Sequence, residues 1–261
     1  MNVLRAVKSN LHRAILCPRF LLAVAIGLLI QYMGVWDVIA MPDTNVVYLY
    51  FWMIYLGTFQ LLLVCVPAMV CSDAFLEDTR DGYLRLAVQR SGLRAYLWGK
   101  TIAAALAGFL VMVLSSALFI LLLRIGRPVD EYSDILNVAD IVEGSYAQLV
   151  YDRKSWLYLL MNVLQQGISG AFYACMALAC SAFIDNIFVV IASPILLAQW
   201  SGLIRNLLGN TYSLVDLQFG TTENIGLAAA TIDVLVTFVP LTLLCGILFF
   251  VRGRRKAYDL L

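Results

Sequence analysis

The chain has 261 residues, 62% of them hydrophobic and 13% charged, with a mean hydropathy of +0.86 and a formal net charge of +1. An ordinary soluble domain is excluded by that balance, which is too rich in apolar and too poor in charged residues. The expected class is an all-α polytopic membrane protein, because about 20 apolar residues at about 1.5 Å rise cross a hydrocarbon core of roughly 30 Å, and no nucleic-acid partner is expected.

Residues 1–19 come first, with Leu4, Val7, Leu11 and Ile15 at three- and four-residue steps and Arg5, Lys8, His12 and Arg13 on other faces. That pattern predicts an amphipathic helix lying at the membrane interface, and Pro18 marks the turn into the first span. A cleaved signal peptide would need a small-residue site after a short apolar core, and Gln31 to Trp36 offers none. Six apolar intervals then predict six spans, at 20–38, 46–71, 101–123, 156–184, 187–204 and 226–251. Pro67 should kink the second and Pro194 interrupt the fifth. Between them lie 72–100, an outer loop at 124–155, an outer region at 205–225 and a tail at 252–261. All are treated as parts of one transmembrane domain.

Charge placement sets the orientation, since loops rich in Lys and Arg stay on the cytoplasmic side. With both termini inside, the inner segments hold 13 of the 18 basic residues against six acids, net +7. The outer segments hold five basic residues, Arg124, Arg127, Arg153, Lys154 and Arg205, against ten acids, net −5. The six cysteines fall within or at the inner edge of the spans, so no disulfide framework is implied. No C-x-x-C occurs and His12 is the only histidine, so no metal site is expected.

Three apparent chemical signatures fail on physical grounds. Gly167-Ile168-Ser169-Gly170 matches the surroundings of an intramembrane serine nucleophile, but serine needs a positioned base, and His12 sits in the interfacial helix. The small residues read better as a close helix-packing face. Gly99-Lys100-Thr101 resembles the end of a phosphate-binding loop, yet the position of the earlier glycine is Arg94. Asp233 is the one acid inside an apolar interval, but Arg252 follows it by 19 residues, about 28 Å of helix, which puts Asp233 near the outer interface as a solvated or capping residue. No catalytic residue is assigned, and the chain is not expected to be an enzyme.

The interval 72–100 remains. Phe75, Leu76, Tyr83, Leu84, Leu86, Leu93, Tyr96 and Leu97 interleave there with Glu77, Asp78, Arg80, Asp81, Arg85, Arg90 and Arg94. This suits short amphipathic helices lying along the inner surface as a docking element, divided at Ser91-Gly92.

On Phe75-Leu76-Glu77-Asp78-Thr79-Arg80-Asp81-Gly82, then Arg90 and Tyr96-Leu97-Trp98-Gly99-Lys100, the chain resembles the membrane-spanning permease subunits of type-2 ABC exporters. The resemblance implies an interfacial helix, six spans, a coupling helix between the second and third, and an outer re-entrant region at 205–225. It implies a dimer, with a second copy or a paralogue, and a separate ABC ATPase subunit that uses ATP and Mg. The ATPase-coupling residues would be Phe75, Glu77, Asp78, Gly82 and Arg90, with Asp185 in the turn between spans four and five. The location implied is the bacterial cytoplasmic membrane, and the activity is export. The acidic outer mouth suggests an amphipathic or antimicrobial-type peptide as cargo, a hydrophobic small molecule being the other option. Tyr55, Gln60, Gln165, Gln166 and Gln199 are the candidate pathway residues. A self-powered secondary carrier or channel is the alternative, although buried charges and inverted repeats, its expected marks, are not evident.

Overall fold

The computed structural model describes residues 3–41, 44–55, 60–71, 74–129, 142–208, 213–221 and 226–260. Among them every regular element is helical. The order is α1 (Val3–Ile15), α2 (Pro18–Gly34), α3 (Val46–Tyr55), α4 (Gln60–Leu63), α5 (Ala68–Cys71), α6 (Ala74–Arg80), α7 (Tyr83–Ser91) and α8 (Leu93–Arg124). After these come α9 (Ala147–Tyr151), α10 (Ser155–Ser181), α11 (Ile187–Leu208), α12 (Leu214–Phe219) and α13 (Leu227–Leu260).

By length and composition, α8, α10 and α13 can each cross a membrane, and α1 with α2 makes a fourth candidate if the bent pair counts as one span. The bend between α1 and α2 is 60°. It falls at Cys17, held extended as the residue before a proline must be, with Pro18 opening α2 where its missing N–H costs nothing. The expected first helix is therefore present as a distinct element. Its buried face is Ala6 and Ala14, while Leu4 and Leu16 stand exposed and Leu11 and Ile15 pack at the edge of the core.

In the second apolar interval α3 and α4 flank residues 56–59, which lie outside the described residues, and a turn over residues 64–67 separates α4 from α5. Pro67 closes that turn, where its lack of an N–H prevents an α-helical hydrogen bond. α3 and the described apolar part of α11 are shorter than a full crossing, so among the described residues three helices, or four with the bent pair, have the length and composition of spans against the six expected. Residues 130–141 of the expected outer loop lie outside the described residues.

α8 and α10 form the spine and run antiparallel, since Gly108 meets Gly170 and Ala174 while Gly167 meets Phe109 and Val113. A Cβ on Gly108 would stand 2.5 Å from the Ala174 Cβ and 2.6 Å from the Gly170 oxygen. Only small residues allow this approach, which is how helices pack in lipid without a hydrophobic driving force. The packing-face reading of Gly167 to Gly170 thus holds. α13 lies alongside both helices, with Phe238 against Phe172 and Gly246 close to Thr101.

Polar rungs cross the same interior. Ser116 Oγ donates to Gln166 Oε1 at 2.6 Å, Gln166 Nε2 donates to the Tyr50 hydroxyl at 3.2 Å, and Gln31 Nε2 reaches both Ser115 and Ser116 at 3.4 Å. These bonds tie α2, α3, α8 and α10 together.

Gly108→Ala is expected to lower the unfolding midpoint of the purified protein in detergent, by about 1–3 kcal/mol as overpacking typically costs. Gly202, in the middle of α11, has open space where a Cβ would go. Gly202→Ala is expected to leave stability unchanged or raise it by about 0.5–1 kcal/mol, from helix propensity. Equal effects from both, in a thermal unfolding series, would remove the close-packing account.

Candidate functional site

The sequence gathers charge at one end of the bundle, and the structure gives that end an order. α1, the start of α8, the end of α10 and the end of α13 meet there around the short helix α6. α6 buries Phe75, Leu76 and Asp78 and turns Arg80 outward. Leu76 packs with Ala68, Ala177 and Val190. Phe75 is fully buried against Phe249 of α13, edge to face at 5.1 Å, with the Lys256 ammonium 5.9 Å from its ring centre.

Asp78 is 1% exposed. A carboxylate so enclosed must be neutralised and hydrogen-bonded to remain ionised. Three groups do this from two other helices. Lys100 Nζ forms the closest ion pair with Oδ2, the Tyr96 hydroxyl donates to the same oxygen at 2.5 Å, and Arg13 Nη1 of α1 donates to Oδ1 at 2.9 Å. Tyr96 and Lys100 can act together because residues four apart share one helix face. Lys100 also donates to the Ala74 carbonyl at 2.7 Å and to the Tyr96 hydroxyl at 3.0 Å. Burial opposes ionisation of Asp78, but the charge of Lys100, the hydrogen bonds from Lys100 and Tyr96, and the charge of Arg13 together outweigh it and hold the carboxyl below its ordinary range.

Around this centre the contacts are more exposed. Glu77 pairs with Arg19 at 2.7 Å. Asp185, in the turn between α10 and α11, pairs with Lys256 at 2.5 Å, and its carbonyl accepts from Arg80 at 2.6 Å. The Lys256 hydrogen bond lowers the Asp185 carboxyl, but an ion pair this open to water contributes little. Arg252 lies 5.5 Å from the Phe183 ring beside the same turn. α6, the α10–α11 turn and the end of α13 are thereby stitched into one unit.

Of the expected coupling residues, Phe75, Glu77, Asp78 and Asp185 are brought together here. Gly82 is exposed, in the left-handed region at φ 69°, where it separates α6 from α7. The side chain of Arg90 lies outside the described residues. Sequence reasoning missed Arg13, Lys100 and Tyr96 as partners of Asp78, and Lys256 as the partner of Asp185. The four-residue spacing of Tyr96 and Lys100 was the one available signal.

The candidate pathway residues are not gathered on one surface. Gln166 is taken up by the interior rungs, and Gln165 Nε2 donates to the Leu217 carbonyl at the end of α12. Gln199 is exposed on α11, Tyr55 is half-buried, and the Gln60 side chain lies outside the described residues. No cluster of His, Cys, Asp and Glu able to hold a metal occurs among the described residues.

Asp78→Asn is expected to cost about 3–5 kcal/mol at neutral pH, because Lys100 is left buried without its counter-charge. The acid dependence should change as well. A depressed native carboxyl contributes its full stability above the unfolded value of about 3.9 and loses it as pH falls through the lower folded value. Unfolding midpoints measured from pH 7 down to pH 2 should therefore fall more steeply in the parent chain than in the Asn variant. Parallel curves would show that Asp78 is not held ionised by its partners.

No family model matches the chain, and no curated protein matches it.

Proposed function

We propose that the chain is the membrane-spanning subunit of an exporter driven by a separate ATPase, with α6 and α7 as the element on which that ATPase acts. The observation that carries this reading is the division of labour across Gly82. α6 is locked inward through Phe75 and Asp78, whereas α7 offers exposed Tyr83, Arg85, Leu86 and Gln89 to the aqueous phase. A solvated connector has no reason to combine a buried ion cluster with an exposed mixed apolar and charged face.

In this reading the ATPase grips α7 together with Arg80 and Asp81, and its closure on ATP displaces α6 as a rigid body. α6 then moves α1 and α8 through Asp78, and α13 through Phe75. The end of the bundle carrying α6 faces the cytoplasm of a bacterial cell, as the excess of Lys and Arg there favours. Two copies of the chain, or this chain and a paralogue, enclose the path. The net −5 charge of the outer segments favours a cationic amphipathic peptide as cargo.

The test begins with the neighbouring gene. A Walker-type ATPase encoded there is expected to copurify with the chain and to hydrolyse ATP faster in liposomes containing both. Glu77→Lys and Gly82→Val, the second forbidden by its left-handed backbone, should each reduce cargo moved per ATP hydrolysed by about tenfold, roughly 1.4 kcal/mol of coupling. Transport by the chain alone in ATPase-free liposomes would overturn the proposal in favour of a self-powered carrier. Equal transport of cationic, neutral and anionic peptides would overturn the cargo assignment alone.

A further inference from the structure

Beside the Asp78 cluster, between α1, the start of α2 and α8, lies a cavity of about 60 Å³. Its lining is of two kinds: Arg13, Arg19 and Lys100 supply cationic groups, and Val70, Ala103 and Ala104 apolar surface. Asp78 pairs with Arg13 and Lys100, and Glu77 with Arg19. Lys100 and Asp78 are buried, but the Arg13 and Arg19 side chains are 54% and 46% exposed at the opening.

The surroundings extend the same pattern. α1 carries exposed Arg5 and Lys8 and contains no acid. Leu4 and Leu16, at its two ends, are 79% and 67% exposed. A helix that is basic and also presents large apolar side chains sits at a headgroup boundary, its apolar residues among acyl chains. We propose that the cavity takes the phosphate of an anionic phospholipid, held by Arg13 and Arg19, with the first carbons of an acyl chain against Val70, Ala103 and Ala104. Guanidinium groups suit a phosphate diester through their fork of donors, and basic pockets between spans at the positive side of a membrane recognise such headgroups. A free phosphate would use the arginines but leave the apolar surface bare, so the lipid is the occupant the whole cavity fits. The bound lipid would fix α1 against α8 beside Asp78 and so tune the stiffness of that joint. The proposal needs the membrane placement of α1 and no ATPase partner, so it stands or falls separately from the export reading.

The experiment is native mass spectrometry of the full-length chain in detergent, titrated with phosphatidylglycerol, phosphatidylcholine or inorganic phosphate. Phosphatidylglycerol is expected to be retained at one per chain at about tenfold lower concentration than phosphatidylcholine, an affinity gap in the range of one or two surface charges. Millimolar inorganic phosphate should not displace it. Arg13→Gln and Arg19→Gln should each abolish the preference, while Arg254→Gln, on the exposed tail of α13, should retain it. Arg19→Gln gives up only a partly exposed ion pair, and it decides the matter alone if Arg13→Gln does not fold. Equal retention of the two lipids, displacement by phosphate, or equal loss in Arg254→Gln and the cavity variants would each overturn the assignment.

Discussion

Everything at the charged end of the bundle depends on keeping one buried carboxylate ionised. Asp78 is almost wholly shielded from water, so α6 can occupy its place only while Lys100 and Tyr96 of α8 and Arg13 of α1 surround it. The net stabilisation from such a cluster is small, because desolvation of the charges consumes most of the attraction. Its directional consequence is larger. Separating α6 from either neighbour leaves a buried charge without a partner, which costs several kcal/mol, so the three helices move together or the joint opens entirely. A hydrophobic contact of the same size would slide at far lower cost.

The interior of the bundle uses a different kind of lock. α8 and α10 approach through Gly108, Gly167, Gly170 and Ala174, and the serine and glutamine rungs register α2 and α3 against them. Close backbone contact has no rotameric freedom, and the rungs have partners in only one register, so this spine is rigid. α4 and α5 contrast with it, being short pieces joined by a turn where one span kinked at Pro67 was expected.

Parts of this were legible in the sequence for definite physical reasons. Composition fixes the class, and uninterrupted apolar length predicts α8, α10 and α13 closely because a long helix must satisfy its backbone inside lipid. Pro18 and Gly92 mark breaks that the sequence anticipates, whereas the break at Gly82 between α6 and α7 was not read from it. The division of the second interval was not legible, because hydropathy measures how much apolar chain is present and not whether one helix contains it. Gln166 illustrates a deeper ambiguity: a polar side chain in an apolar interval suits a water-lined path and an interhelical hydrogen bond equally. Only the proximity of Ser116, fifty residues earlier, and Tyr50 settles which role it has in this fold. Asp78 was identifiable from its place in the amphipathic segment, whereas Arg13, 65 residues away, was not.

Gly82 separates the inward and outward halves of this device. Before it, α6 has its apolar and acidic residues committed to the fold; after it, α7 buries Leu84 and exposes Tyr83, Arg85, Leu86 and Gln89. A force applied to α7 passes directly into α8 at Gly92 and enters α6 through the short backbone link at residues 81–82, where it divides between two routes: the Asp78 cluster, and the Arg80 contact to the Asp185 carbonyl. The first route ends in α6 and the Asp78 cluster, the second in the α10–α11 turn and, through Lys256, the end of α13. Both routes converge on Phe75, which lies on α6 yet packs on α13 beneath Lys256. That convergence lets a load taken up at one exposed helix reach the first, middle and last long helices of the chain together, while the glycine-packed spine between them keeps its register.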